Sequence, residues 1–179
     1  MLLALAAGCA PEPFAGTDVS GAAYGGRIEL SDTQGRARTL ADFRGKAVVV
    51  FFGYMNCPDV CPTTLAEAAQ ALATLGKDGE RVQVLFITVD PERDTPAVIK
   101  DYLSSFDPHL RGATGDAPAI EQVEKAYRVY AKKVPTKNGD YSMDHSAVVY
   151  LMDKEGRFVA PFNLKRQPAE AADALRKYS

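Results

Sequence analysis

The sequence has few groups that bind soft metals or form disulfides, and it has no surplus of basic charge. Its 179 residues include three cysteines and two histidines. Thiol or imidazole chemistry is therefore confined to a handful of positions. The formal net charge is -2 at pH 7, so the chain lacks the basic face with which proteins bind nucleic acid. We expect no nucleic-acid partner.

Long apolar runs and repeats are also missing from most of the chain. After residue 9, no stretch approaches the ~20 apolar residues of a membrane span. No internal repeat or low-complexity segment is visible. Hydrophobic residues make up 46% and charged residues 25%, which is typical of one soluble domain. We assign residues 1–26 to a signal and tether, and residues 27–179 to the folded domain.

The N-terminus resembles the end of a bacterial lipoprotein signal. Residues 1–8 are apolar, end in small residues and precede Cys9, which in such a signal becomes the lipidated first residue of the mature protein. Residues 10–26 contain prolines, glycines and alanines, and we interpret them as a flexible tether. This predicts a lipid-anchored protein at the periplasmic face of a bacterial membrane. The alternative is an ordinary apolar tail with an incidental cysteine.

The stretch from Phe51 to Pro62 contains the other two cysteines, Cys57 and Cys61, between a predicted strand and a predicted helix. Residues four positions apart lie on the same face of a helical turn, so both sulfurs can point at one spot. A helix N-terminus favours thiolate over thiol, and thiolate attacks disulfides and binds soft metals. The alternative is a pair of buried core cysteines.

A structural disulfide is a weaker interpretation of this pair. If Cys9 is lipidated, only Cys57 and Cys61 remain, and exported domains normally use paired cysteines as staples. A bridge that closes so short a loop constrains the unfolded chain little. We therefore favour a functional thiol pair.

Strand and helix patterns alternate along the domain and predict an α/β fold. A predicted hairpin comes first, and the apolar run that follows it fits a strand buried on both faces. A cysteine pair between the first central strand and its helix points to a thioredoxin-like arrangement, with a mixed central sheet flanked by helices. A polar loop is predicted over Val134–Tyr141. The predicted strands are Arg27–Leu30, Arg36–Leu40, Ala47–Phe52, Arg81–Val89, Leu110–Thr114, Ser146–Met152 and Arg157–Ala160; the predicted helices are Thr63–Leu75, Pro96–Phe106, Asp116–Ala131 and Pro168–Lys177.

His145 is the candidate third ligand, because it directly precedes the third apolar strand. In a thioredoxin-like sheet, the loop before that strand packs against the cysteine loop. A cis-proline usually lies there, but no proline is at or next to His145. Two thiolates and one imidazole suit copper or zinc, and a structural zinc site would need a fourth ligand, so we place copper ahead of zinc. The alternative is a satisfied loop histidine, and His109 is expected to have a surface or packing role.

Three carboxylates lie near these residues in the predicted fold. Asp90 and Asp94 follow the second apolar strand, at the edge where open α/β sheets bind ligands. They could orient His145 or basic side chains; for Asp94 the alternative is a helix cap in a solvated turn. Asp59 lies between the cysteines and could offset the charge of a metal, contact a partner, or act as a turn and N-cap residue.

Three motifs together resemble those of the Sco/SenC proteins. They are Phe-Gly-Tyr-Met-Asn-Cys-Pro-Asp-Val-Cys-Pro-Thr, Thr-Val-Asp-Pro-Glu-Arg-Asp-Thr-Pro and Met-Asp-His-Ser. The resemblance runs from about Ala41 to the C-terminal helix and implies a thioredoxin-like fold. It also implies one copper ion, as Cu(I) or Cu(II), held by Cys57, Cys61 and His145. Met55 stands where the family commonly has threonine, and we expect it to pack rather than to bind metal.

The same resemblance implies a role in assembling the dinuclear copper A site of cytochrome c oxidase. The implied partners are the copper A subunit and a second periplasmic copper chaperone. The first hypothesis is a metallochaperone. The second is a thiol–disulfide oxidoreductase that reduces the cysteines of the oxidase copper site or acts in redox or copper homeostasis. Cys57 would attack and Cys61 resolve, although such enzymes typically use C-x-x-C. A hybrid, in which only the reduced pair binds copper, and a thiol peroxidase are further alternatives.

Overall fold

The computed structural model describes residues 24–25 and 29–179. Cys9, the lipoprotein signal, nearly all of the tether and the start of the first predicted strand lie outside the described residues. The strands are β1 (Leu30–Asp32), β2 (Ala37–Arg38), β3 (Ala47–Gly53), β4 (Val82–Thr88), β5 (Arg111–Thr114), β6 (Ala131–Pro135), β7 (Tyr141–His145), β8 (Val149–Met152) and β9 (Phe158–Pro161); the helices are α1 (Val60–Leu75), α2 (Pro96–Ser104), α3 (Ala117–Tyr127) and α4 (Pro168–Tyr178).

A seven-stranded mixed sheet forms the centre of the domain. Its strand order is β2-β1-β5-β4-β3-β8-β9. The three central strands β3, β4 and β5 are parallel, whereas the outer pairs are antiparallel. The predicted mixed α/β architecture and its N-terminal hairpin, β1–β2, are confirmed. The carboxyl ends of β3 and β4 therefore meet at one edge of the sheet.

Helices cover both faces of this sheet. Every residue of β3 and β4 is buried, as the continuous apolar runs predicted. Because side chains alternate along a strand, Phe51 packs toward α1, α2 and α4, whereas Phe52 packs toward α3. None of the helices within the described residues is both long and apolar enough to span a membrane.

The prediction was wrong between α3 and β8. The helix predicted to reach Ala131 ends at Tyr127, where Arg128 adopts a left-handed conformation with φ 54°. The predicted polar loop is instead the distal part of an antiparallel hairpin, β6–β7. This hairpin carries His145 as its last strand residue. The other boundaries differ by a few residues; α1, for example, begins at Val60 rather than Thr63.

Candidate metal centre

The two cysteines lie at the carboxyl end of β3, where the chain turns into α1. Cys57 is in the connecting loop and is partly exposed, whereas Cys61 is the second residue of α1 and is fully buried. The backbone N–H of Cys61 donates to Cys57 Sγ over 3.5 Å. The four-residue spacing thus brings both sulfurs to one side of the helix start, as predicted.

His145 comes to the cysteines from the hairpin. Its Nδ1 lies 3.0 Å from the carbonyl oxygen of Ser146, so we assign the proton to Nδ1, which donates to that oxygen. The lone pair of Nε2 then faces Cys61 Sγ at 3.9 Å. The imidazole also stands edge-on to the ring of Tyr54, with centroids 5.7 Å apart and an angle of 89°. This hydrogen bond and ring contact orient the imidazole toward the thiols.

The three potential ligand atoms lie within 4.8 Å of one another. Within the described part of the chain, no other group of three metal-ligating side chains has this geometry. His109 lies elsewhere, with its Nδ1 2.8 Å from Asp107 Oδ1 and its side chain exposed, in agreement with the predicted surface role. The cluster of Cys57, Cys61 and His145 can hold one metal ion.

The two thiols differ in acidity. Partial burial acts to raise the pKa of Cys57, but backbone N–H groups, including those of Asp59 and Cys61, outweigh it and bring this pKa below its ordinary value. Burial raises the pKa of the Cys61 thiol, and the nearby Cys57 and Asp94 raise it further. The expectation that the helix start favours thiolate is therefore confirmed for Cys57 and wrong for Cys61, where burial disfavours the charged form.

Gly53, the last residue of β3, is part of the site and was not predicted. A Cβ atom at this position would lie 2.7 Å from Cys61 Sγ and 3.0 Å from the ring of Phe86. The sulfur of Cys61 therefore occupies the space that any other residue would fill. A glycine at the end of a buried strand, directly before a functional loop, is the sequence signal that marks such a close approach.

Asp94 supports the loop that carries the cysteines. Its side chain is buried, with 2% of the residue exposed, and it accepts hydrogen bonds from the Thr88 hydroxyl at 2.6 Å and the Met55 N–H at 3.1 Å. Burial raises the pKa of this carboxyl. The cap of α2 is Thr95, so the alternative of a helix cap in a solvated turn is wrong for Asp94.

Asp90 supports the hairpin that carries His145. Only 1% of this residue is exposed, and its carboxylate accepts a hydrogen bond from the Tyr141 hydroxyl at 2.8 Å and another from Arg93 Nε. Of the two predicted roles, Asp90 thus orients a basic side chain, that of Arg93, while none of the hydrogen bonds found for Asp90 and Asp94 is to His145. Both carboxylates instead hold the segments that carry the candidate ligands.

Asp59 and Met55 are the remaining residues that the sequence analysis singled out. Asp59 occupies the N-cap position of α1 without a side-chain cap bond, and it is exposed. Its backbone carbonyl accepts hydrogen bonds from Thr63. Met55 is partly buried and packs against the core beneath α1, as expected.

The sequence is similar to proteins of the SCO1/SenC family. The family model described as SCO1/SenC matches residues 17–179. The bovine mitochondrial SCO2 homolog is 42% identical over 156 residues, which cover 86% of this chain and 59% of that protein. Yeast mitochondrial SCO1 is 46% identical over 138 residues, which cover 75% and 47%. The chain thus spans about half to three fifths of the length of these relatives.

Solved structures resemble the whole domain. The copper-bound ScoI of Bradyrhizobium japonicum is 58% identical, with a TM-score of 0.84 over 88% of this chain and 100% of that one. Copper-bound yeast Sco1 is 39% identical, with a TM-score of 0.79 over 87% of this chain and 88% of that one. These similarities confirm the predicted thioredoxin-like fold.

Proposed function

The chain belongs to the SCO1/SenC family, and from that premise we propose that it is a copper metallochaperone for the copper A site of cytochrome c oxidase. It binds one copper ion through Cys57, Cys61 and His145. The observation that carries this proposal is the approach of their three ligand atoms to within 4.8 Å. A related protein with 58% identity has been solved with copper bound, which supports the choice of metal.

The chemistry of the three ligands suits binding followed by transfer. Two thiolates and an imidazole are soft and intermediate donors that favour Cu(I), and this ion accepts three ligands. Because Cys57 is partly exposed, a thiolate of a recipient protein can approach the ion from that side. Copper then passes by ligand exchange through an intermediate that shares ligands with the recipient. Copper is thus the cargo of this protein.

The location and partners form part of the same proposal. The apolar sequence before Cys9 supports a lipid anchor at the periplasmic face of a bacterial membrane, with residues 27–179 as the copper-binding domain. The recipient is the copper A subunit, and the donor is another periplasmic copper chaperone. Incorporation of labelled lipid into the wild type, and its loss in Cys9→Ser, would support the anchor; a wild type without lipid would refute it.

A second candidate function is thiol–disulfide exchange at the cysteines of the oxidase. It is favoured by the difference between the two thiols: Cys57 is partly exposed with a lowered pKa, whereas Cys61 is buried with a raised pKa. Such a difference suits an attacking and a resolving thiol. This function requires both cysteines but not His145.

Complementation of a bacterial strain that lacks this protein tests both candidates. The variants are Cys57→Ser, Cys61→Ser and His145→Ala, and oxidase activity and copper content are measured. His109→Ala is the control, because this histidine is exposed and outside the cluster.

For a chaperone, all three variants fail to restore the oxidase, while the control restores it. Full restoration by His145→Ala, together with failure of both cysteine variants, would favour the oxidoreductase. Restoration by all three would refute both candidates.

A further inference from the structure

One turn holds both segments that carry the potential ligands. The turn begins at Asp90, two residues after the end of β4, and the N–H of Asp94 donates to the carbonyl of Asp90 over 3.0 Å. At one end of the turn, Asp94 accepts from Met55 in the cysteine loop. At the other end, Asp90 accepts from the hydroxyl of Tyr141 in β7. The turn therefore links the hairpin to the cysteine loop.

Tyr141 is attached to this turn by three kinds of contact. Its hydroxyl donates to Asp90. The guanidinium of Arg93 lies 3.7 Å from the centre of its ring, which is a cation–π contact. Nη1 of Arg93 also donates to the backbone carbonyl of Tyr141 over 2.8 Å. On the hairpin itself, Lys133 Nζ lies 4.6 Å from the same ring.

Glu92 and Asp140 extend the attachment with ion pairs at its rim. Lys133 pairs with Glu92, and Arg93 Nη1 pairs with Asp140 at 3.2 Å. These groups are more exposed than Asp90, so we assign most of the attachment to the contacts of Tyr141 with the turn.

Tyr141 and His145 are the first and last residues of β7, so the attachment of Tyr141 affects where His145 lies. Side chains alternate along a strand, so Tyr141, Met143 and His145 lie on the same face. Met143 packs against the core on the α3 side of the sheet, and His145 faces Cys61. The strand thus lies against the domain along one face, with Tyr141 at the start of that face and His145 at its end.

Other contacts lie near His145. The backbone N–H of Met143 faces the hydroxyl of Tyr54 in the cysteine loop, which is a second link between β7 and that loop, beside the attachment to the turn. Tyr130 and Ser146 exchange two hydrogen bonds, from the N–H of Tyr130 to Ser146 Oγ at 3.0 Å and from the N–H of Ser146 to the carbonyl of Tyr130 at 2.9 Å. Both bonds join the two ends of the hairpin to each other. They hold the hairpin together whether or not it lies on the turn.

We propose that Tyr141 is a positioning residue for the metal centre. By attaching the hairpin to Asp90 and Arg93, it keeps the imidazole of His145 opposite the two thiols. When Tyr141 leaves the turn, the hairpin lifts, the imidazole withdraws, and a three-ligand site becomes a two-thiolate site that releases copper faster. The part of this inference that concerns copper rests on the proposed function; the part that concerns the position of His145 does not.

The position of His145 can be measured in the metal-free, reduced protein. Because His145 and Tyr54 lie edge-on with centroids 5.7 Å apart, nuclear Overhauser effects between their ring protons are expected in the wild type. We expect these signals to disappear in Tyr141→Ala and to weaken in Tyr141→Phe, which keeps the ring contact with Arg93 but loses the hydroxyl. Tyr130→Ala is the matched control, since this tyrosine is 52% exposed, and it keeps the signals. Signals of wild-type strength in Tyr141→Ala would overturn the proposal.

Copper release tests the functional part. The copper-loaded proteins are mixed with a Cu(I) chelator, and the rate of transfer is followed by absorbance. We expect release about tenfold faster from Tyr141→Phe, the change expected when a hydrogen bond to a charged group is lost, and a larger increase from Tyr141→Ala, which also loses the ring contact with Arg93. Wild-type release from Tyr141→Ala would overturn the functional part. Wild-type release from His145→Ala would instead contradict the proposed function, and the proton signals would still decide the role of Tyr141.

Discussion

At position 53, a missing side chain determines where the sulfur of Cys61 can lie. The distance of 2.7 Å from a Cβ atom at Gly53 to Cys61 Sγ is shorter than any ordinary contact, and the ring of Phe86 would lie 3.0 Å from the same atom. An added methyl group must therefore displace the sulfur, the phenyl ring or the strand itself. Since all three are buried, none of them can move freely.

Gly53→Ala should therefore weaken both the fold and the site. Overpacking of a core typically costs about 1–3 kcal/mol, and displacement of Cys61 Sγ should weaken copper binding. Urea unfolding and competition with a Cu(I) chelator measure the two effects. Gly79→Ala is the control, because a Cβ there comes no closer than 3.4 Å to any neighbour. If the two variants unfold and bind copper alike, this account of Gly53 is wrong.

At the scale of single elements, the β1–β2 hairpin depends on Asp32. Its carboxylate accepts from the backbone N–H groups of Gln34 at 2.8 Å and Arg36 at 3.0 Å. It also accepts from Nε of Arg36 and of Arg38, each at 2.9 Å. Burial acts to raise the pKa of this carboxyl, but the hydrogen bonds outweigh burial and bring the pKa well below its usual range.

The lowered pKa of Asp32 predicts a pH-dependent contribution to stability. A carboxyl whose pKa is lower in the folded state stabilises the fold above its unfolded pKa of about 3.9, and this contribution is lost as the pH falls through the folded pKa. Asp32→Asn should therefore be less stable than the wild type at pH 7, and the difference should shrink as the pH falls below about 4.

The midpoint of urea unfolding, measured at neutral and acid pH, checks this prediction. Asp101→Asn, at an exposed position of α2, serves as the control. A difference between Asp32→Asn and the wild type that stays constant with pH would contradict it. Asp32 lies in the hairpin at the far edge of the sheet from β8 and β9, so copper binding should be unchanged.

The sequence predicted the elements whose residue pattern is local. It missed the β6–β7 hairpin, whose contacts are with residues far away in the chain. β3 and β4 are continuous apolar runs, and burial on both faces follows directly from that pattern. β6 contains Lys132 and Lys133, both exposed, so it has no apolar period to detect. It forms a strand by pairing with β7, and β7 in turn contacts the domain through Tyr141, whose partner Asp90 is 51 residues away in sequence.

At the scale of the whole molecule, the site is assembled where three segments meet at one edge of the sheet. The cysteine loop and α1 follow β3, and the hairpin precedes β8, which pairs with β3. Among the three candidate ligands, the cysteine pair was predictable from its local spacing, and His145 from its place directly before the third apolar strand of a thioredoxin-like sheet. The buried state of Cys61, the role of Gly53 and the hydrogen bond from Met55 to Asp94, 39 residues apart, were not, because they arise only when the sheet brings distant segments together.

The most direct test of the central claim is a Cu(I) titration of the reduced protein, in the wild type and in His145→Ala, with His109→Ala as control. The wild type and the control should bind one copper ion per chain with equal affinity. His145→Ala should bind at least about tenfold more weakly, since loss of only an outer hydrogen-bond partner already costs about 10–100-fold in metal affinity. Equal affinity in all three proteins, or no stoichiometric binding by the wild type, would contradict a copper site formed by Cys57, Cys61 and His145.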